Sequence, residues 1–257
     1  MNASPRIIFI TGLPGSGKSA ASETLIGKLQ QCRFHVRFRT DKQALEEEVR
    51  RDIQLVRSDP SRHRANGTIE GNHTHLINPD GKDGTLQMVF KDGKALNSAH
   101  KQLLSEAQDF LHNRDDAEVF VIEWAYGKNV PYPGEELTHD GTQLVTWLDD
   151  HGLLQDVVIL DIVSDEQTRI ERNSNRPGHI PTGEFTKYFP EEGLFTAEDI
   201  QALDGRYIRI DNLGTSPETF QRFHEQVLSV YESSLLQLLE GRPQMGKEWM
   251  FIHYKEW

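Results

Sequence analysis

Apolar residues fall along this chain in two rhythms. Ile7–Ile10, Glu118–Glu123 (EVFVIE) and Asp156–Val163 (DVVILDIV) are short, nearly continuous apolar runs rich in Val and Ile, the pattern of strands covered on both faces of a parallel sheet. Arg33–Thr40 alternates, setting Phe34, Val36 and Phe38 against polar neighbours, and Tyr207–Asp211 (YIRID) supplies a last strand. Between these runs the apolar spacing turns helical. It does so at Ala21, Leu25, Ile26 and Leu29, at Leu45, Val49, Ile53 and Val56, and around Leu144–Leu148. It recurs at Leu103, Leu104, Ala107 and Phe110 within a helix predicted over Leu96–Leu111, and along a stripe of Phe220, Phe223, Val227, Val230 and Leu238. Start signals agree: Thr40 with Gln43 makes a capping box, Ser164 with Gln167 begins a helix through Arg172, and Ser216-Pro217-Glu218 begins the long one. Strands alternating with helices predict an α/β fold with a parallel sheet and right-handed crossovers.

Three stretches break the alternation. Ser58–Leu96 is polar and rich in Gly, Asn, Asp and His; within it TLQMVFKDGKAL reads as a hairpin turning at Asp92-Gly93. Residues 58–96 are expected to form an inserted region. Trp124–Asp140 carries two prolines and two glycines and reads as a loop. Residues 165–204 end in a polar stretch whose His179–Asp199 part, with Gly, Pro and aromatics, suits a mobile lid that excludes water. The tail EWMFIHYKEW is dense in aromatics and is expected to pack onto the domain.

Directly after the first apolar run stands GLPGSGKS, comprising Gly12, Leu13, Pro14, Gly15, Ser16, Gly17, Lys18 and Ser19, with Ala20 opening the next helix. The spacing fits G-x-x-x-x-G-K-[ST] in its required setting of strand, loop and helix. Backbone N–H groups between Gly15 and Ser19 can turn inward around an anion, and the helix N-terminus adds favourable partial charge. Lys18 would reach β- and γ-phosphates, and the Ser19 hydroxyl would ligate Mg²⁺. Gly27 lies inside the helix pattern and reads as a packing glycine. The segment Ile7–Leu29 resembles the P-loop nucleoside triphosphatases.

Open α/β sheets bind ligands at the carboxyl ends of their strands. Asp41 follows the second strand, where a carboxylate can take a proton from an acceptor hydroxyl or hold Mg²⁺ through water. Glu123 closes the third and suits the metal or its waters. After the fourth, Arg169, Arg172 and Arg176 share one helical face if the helix persists, and a transferring phosphoryl group would supply their anions. After the fifth comes the loop Asp211–Gly214, with Asn212 and Gly214 placed to pass beneath an adenine. Together these positions resemble the small-molecule kinases of the nucleoside monophosphate kinase-like group, which includes nucleotide, shikimate and gluconate kinases; zeta-toxin-like kinases offer a related likeness. The resemblance implies a P-loop fold of three layers around a five-stranded parallel sheet, an acceptor region after the second strand and an arginine-bearing lid after the fourth. It implies ATP and Mg²⁺ as cofactors and transfer of the γ-phosphoryl group to a hydroxyl or phosphate of a small metabolite, a nucleoside, nucleotide or sugar-like compound. The chain departs from the group in the size of 58–96 and in EWAYG, Glu123–Gly127, where several nucleotide kinases have an Asp-Arg pair.

The 257 residues suit one domain, 1–257, carrying the insertion. A formal net charge of -12 argues against long nucleic acid as partner. One cysteine, Cys32, excludes an internal disulfide framework and suits a reducing compartment. No apolar run is long enough for a signal peptide or a membrane span, so a cytoplasmic protein is expected. His63, His73, His75 and His100 cluster in or beside the insertion, but with no cysteine or acidic partner they read as surface or acceptor contacts before metal ligands. Two alternatives to a small-molecule kinase remain. A GTPase-like switch would need Asn-Lys-x-Asp after a strand, and the nearest match, Asn113–Asp116, precedes one. A polynucleotide 5′-kinase is opposed by the net charge.

Overall fold

The structure is a computed structural model that describes residues 5–65, 67–77, 87–91, 94–113, 117–125, 127–132, 135–175, 182–188 and 195–240. From the amino terminus run β1 (Ile7–Gly12), α1 (Lys18–Gln31), β2 (His35–Thr40), α2 (Asp41–Val56), β3 (Ile69–Glu70), β4 (Thr74–Ile77), β5 (Gln87–Phe90) and α3 (Lys94–Asn113). There follow β6 (Glu118–Ala125), β7 (Gly127–Tyr132), β8 (Glu135–His139), α4 (Gly141–Asp150), β9 (Val157–Val163) and α5 (Glu166–Ser174). The described chain ends with α6 (Thr182–Tyr188), α7 (Ala197–Ala202), β10 (Tyr207–Asp211), α8 (Pro217–Val230) and α9 (Leu236–Leu239), with a π-turn at Tyr231–Leu235 joining the last two helices.

Five strands form one sheet in the order β2-β6-β1-β9-β10, every pair parallel. Alternate side chains of the three central strands face opposite ways, and both faces are covered. Ile7, Phe9, Phe120, Ile122, Trp124, Val157 and Ile159 pack with Ala99, Leu103 and Leu104 of α3 and Leu144 and Leu148 of α4. Ile8, Ile10, Val119, Val121, Val158, Leu160 and Ile162 pack with Leu25 and Leu29 of α1 and Phe223 and Val227 of α8. This double coverage is why these runs read as continuously apolar. The chain leaves β1 on one side toward β2 and β6 and returns on the other to β9, so the sheet opens a crevice at the carboxyl end of β1. Strand β2 is an edge and is largely exposed. Arg39 ties it down, giving two 2.7 Å hydrogen bonds to Glu47 of α2 and further bonds to Glu106 of α3; charge of this kind also blunts an open edge against further pairing.

Three sequence expectations change. The expected second arm of the hairpin is helical: α3 begins at Lys94 and β5 pairs antiparallel with β4 upstream, while Asp92 and Gly93 lie outside the described residues. The helical spacing of Ala95, Ala99 and Leu103, all buried, governs the residues that were to make the second arm. Trp124–Asp140 is not a plain loop, since β6 runs on to Ala125 and β7 pairs with β8. The start of α5 is capped by Asp165, whose carboxylate accepts from Thr168 N at 2.7 Å and Thr168 Oγ1 at 2.6 Å, while Ser164 is buried; the two residues are equally good caps in isolation, and here the helix starts one residue later than the serine predicts. The aromatic tail at residues 241–257 lies outside the described residues.

One buried carboxylate ties residues 72–74 to α2. Asp52 on α2 is 5% exposed and accepts from the backbone N–H groups of Asn72, His73 and Thr74 and from Thr74 Oγ1, all at 2.9–3.0 Å. Gly71 leaves room for it, since a Cβ there would stand 2.2 Å from Asp52 Oδ2. Asp52→Ala strands four donors and is expected to cost about 2–4 kcal/mol, most of it felt locally. Hydrogen exchange is expected to accelerate at residues 72–74 while the amides of β1 and β6 stay protected.

Candidate active site

The crevice at the end of β1 is lined by GLPGSGKS. Gly15 and Gly17 have φ of 81° and 105°, a region that non-glycine residues avoid. Both are also crowded from outside: a Cβ on Gly15 would meet Arg169 O at 2.9 Å, and one on Gly17 would meet Asn212 Nδ2 at 2.2 Å. The loop folds back on itself through Ser16 N donating to Leu13 O at 3.1 Å. Lys18 Nζ donates to Gly12 O at 2.8 Å and Leu13 O at 3.1 Å, which holds the ammonium over the loop.

Helix α1 starts without a side-chain cap and with no acidic residue in its first turn. Helices α2, α4, α5, α7 and α8 each start under a capping oxygen, from Thr40, Asp140, Asp165, Thr196 and Ser216. The first N–H groups of a helix have no intrahelical acceptor, and α1 alone among these six has no side-chain cap over its positive end.

Two carboxylates face this end. The adjacent ends of β2 and β6, where Thr40 pairs with Glu123, bring Asp41 and Glu123 side by side. Glu123 is 7% exposed, and its Oε2 accepts from Ser19 Oγ at 3.2 Å. Asp41 Oδ2 accepts from Ala125 N at 2.7 Å and its Oδ1 from Lys42 N at 2.7 Å. Burial pushes the Asp41 pKa above its ordinary 3.8, a rise opposed by the Lys18 ammonium and the two N–H groups and reinforced by Glu123. Lys18, Ser19, Asp41 and Glu123 thus meet in one place. A hydroxyl and a carboxylate in contact are hard oxygen donors of the kind Mg²⁺ takes alongside phosphate oxygens. Among the described residues no group of three or more His, Cys, Asp or Glu could hold a metal by itself. His63 Nε2 lies 3.0 Å from Arg57 O, and His100, 2% exposed, stacks on Trp124 with ring centroids 4.2 Å apart.

The arginines part company. Arg172 is half-buried, and its guanidinium donates to backbone and amide oxygens: Nη1 to Gly15 O at 3.2 Å and Ser16 O at 3.1 Å, Nη2 to Asn212 Oδ1 at 2.9 Å and Gly214 O at 2.6 Å. Burial pulls its pKa down, against the attraction of Asp165 and Glu171. Arg169 is fully buried, with its guanidinium 5.6 Å from the ring centroid of Phe185 on α6. Arg176 lies outside the described residues, and α5 has ended at Ser174. Asn212 is 1% exposed, and Gly214 N donates to Thr168 Oγ1 at 3.1 Å.

Sequence reasoning missed the supports of this site. Asp161, 2% exposed, accepts from Thr11 Oγ1 at 3.0 Å and Tyr207 OH at 2.7 Å, binding β1, β9 and β10 together just below Gly12. Burial, and then the neighbouring Asp161, push the Tyr207 pKa up. An aspartate interrupting the apolar DVVILDIV was the available signal. The Asp165-x-x-Thr168 spacing would likewise have shown the cap that holds the Gly214 loop.

The strand order and the loop together decide the architecture. It is an α/β fold whose five-stranded parallel sheet carries GLPGSGKS directly after its central strand β1. No protein-family model matches the chain, and no curated protein matches it. Among solved structures it is similar to an unliganded sugar kinase from Janibacter sp. HTCC2649, at 13% identity over 93% of this chain and 99% of that one with a TM-score of 0.48. It is similar to shikimate kinase from Bacteroides thetaiotaomicron, at 12% identity over 88% and 98% with a TM-score of 0.41. The Mycobacterium tuberculosis APS kinase, in complex with AMPPNP and APS, matches at 12% identity over 93% and 99% with a TM-score of 0.41. Similarities this distant say nothing of substrate. Asn113 ends α3, before β6 begins, and residues 114–116 lie outside the described ones. No helix among the described residues is long and apolar enough to cross a membrane.

Proposed function

We propose that this chain transfers the γ-phosphoryl group of ATP to a hydroxyl or phosphate oxygen of a small metabolite. The observation that carries this reading is the uncapped start of α1, with Lys18 over it and the Ser19–Glu123 pair and Asp41 beside it. The amides from Gly15 to Ser19 hold the β- and γ-phosphates, and Lys18 turns from its two carbonyls to neutralise them. Ser19 and Glu123 hold Mg²⁺, which when bound adds charge neutralisation on the phosphate oxygens. Asp41 takes the proton as the acceptor oxygen bonds to the γ-phosphorus and the bond to the β-phosphate oxygen breaks, releasing ADP. Its raised pKa makes it a stronger base than an ordinary aspartate. Leu213, exposed within the Asp211–Gly214 loop, and the half-exposed ring of Phe220 beside Arg172 supply apolar surface for the adenine. Arg169, beneath α6, and Arg176 are assigned to the lid side of the site. The protein works on soluble small molecules, in the cytoplasm.

A thermal-shift comparison tests this reading. With Mg²⁺ and AMPPNP at a hundred times the dissociation constant, stabilisation of about 2.7 kcal/mol is expected. ADP formation from ATP is expected to rise when the right acceptor metabolite is added. Stabilisation by GTP analogues in preference to ATP analogues would instead favour the switch.

A further inference from the structure

The terminal nitrogens of Arg172 and the side-chain amide of Asn212 are turned onto the phosphate loop and the turn that follows β10. Arg172 Nη1 bonds Gly15 O and Ser16 O, and Nη2 bonds Asn212 Oδ1 and Gly214 O. Asn212 Nδ2 bonds Ser16 O at 2.7 Å, and Asn212 N bonds Val163 O at 2.7 Å. Ser16 O therefore accepts two hydrogen bonds from outside the loop. Phe220 of α8 backs the guanidinium, with its ring centroid 5.2 Å from the Arg172 Cζ.

The peptide plane translates this into the site. No described peptide bond is cis, and in a trans peptide the C=O and the following N–H point in opposite directions. Drawing Ser16 O outward onto Arg172 and Asn212 turns the Gly17 N–H inward, toward the anion cradle. The close approach also accounts for glycine at position 17, where any Cβ would displace the Asn212 amide.

We infer that Arg172 and Asn212 are positioning residues that act as one unit, orienting the Ser16–Gly17 peptide so that its N–H faces the phosphates, and that this unit fuses the Asp211–Gly214 loop to the phosphate loop. The inference rests on the reading of GLPGSGKS as a nucleotide site. It differs from a charge clamp on the phosphoryl group, for which lysine would substitute, and from an asparagine that reads the base. A lysine keeps the charge but cannot bond four oxygens in the plane of a fork.

The test is calorimetric titration of the full chain with magnesium pyrophosphate, ADP and adenosine. Wild type, Arg172→Lys, Asn212→Ala and the double variant are compared, with thermal melting to show that each is folded; Asn212→Ser replaces the alanine variant if that chain does not fold. Each single variant is expected to weaken pyrophosphate and ADP by about 10- to 100-fold, the worth of a charge-assisted hydrogen bond. The double variant is expected to be little worse than either single one, since both act on the same peptide. Pyrophosphate carries no base, so weakening by the Asn212 variant is unexplained by base reading. Additive losses, pyrophosphate affinity untouched by the Asn212 variant, or near-wild-type affinity in Arg172→Lys would overturn the inference while leaving the nucleotide site in place. A wild type that binds neither pyrophosphate nor ADP would remove both.

Discussion

Lys18→Ala is expected to lower phosphoryl transfer by at least about 10²–10³-fold, the loss seen when a preorganised charge-stabilising group is removed from a transition state. The cost should fall on nucleotide affinity as well as on kcat, because the ammonium serves ground-state phosphates too. Global stability should change little. The Gly12 and Leu13 carbonyls to which Lys18 Nζ donates sit beside the open crevice, where water can replace the ammonium. Steady-state ATP turnover and a denaturant melt on the same preparation separate the two effects. Full activity in a folded Lys18→Ala chain would show that the loop is not where the phosphates go.

Asp41→Asn is the second large effect. Replacing a general base removes about 10²–10⁴-fold of rate, and here it should leave AMPPNP affinity within a few-fold of wild type. The pH dependence carries a sign. Burial raises the Asp41 pKa above 3.8, so the acid limb of kcat/KM should lie above the ordinary aspartate range and vanish in Asp41→Asn. Stability follows the opposite slope. The folded state holds this proton more tightly than the unfolded one, so folding stability falls as pH rises from the unfolded pKa through the folded one. Across that window Asp41→Asn should gain on wild type in stability while remaining almost inactive. A pH–rate profile with an unchanged acid limb in the variant would move the base elsewhere.

The positions of Lys18 and Asp41 are legible in the sequence because their signals are local. A strand, a glycine loop and a helix in register leave one place for Lys18, and the position after a parallel strand leaves one place for Asp41. Strand runs and helix stripes hold for the same reason: periodicity reports burial, and β1, β6 and β9 are buried on both faces. What stays hidden depends on partners remote in sequence. DGKAL looks like the arm of a hairpin because Asp-Gly turns chains cheaply, but β5 finds its partner upstream and Ala95 onward goes to the α3 face. Arg169 and Arg172 look alike as letters on one helix face. Only the fold shows that Arg172 meets four oxygens from the phosphate loop and the Asn212–Gly214 turn, while Arg169 lies under Phe185. Asp52 and Asp161 read as ordinary carboxylates until the segments they hold come together from 20 and 150 positions away.

The most direct measurement is a crystal structure with Mg²⁺ and AMPPNP. The account predicts the β- and γ-phosphates against the amides of Gly15–Ser19, Lys18 Nζ swung from Gly12 O and Leu13 O onto phosphate oxygen, and the metal between Ser19 and Glu123 with Asp41 facing the γ-phosphorus. Nucleotide bound elsewhere, or Lys18 still on its two carbonyls beside a bound triphosphate, would contradict it.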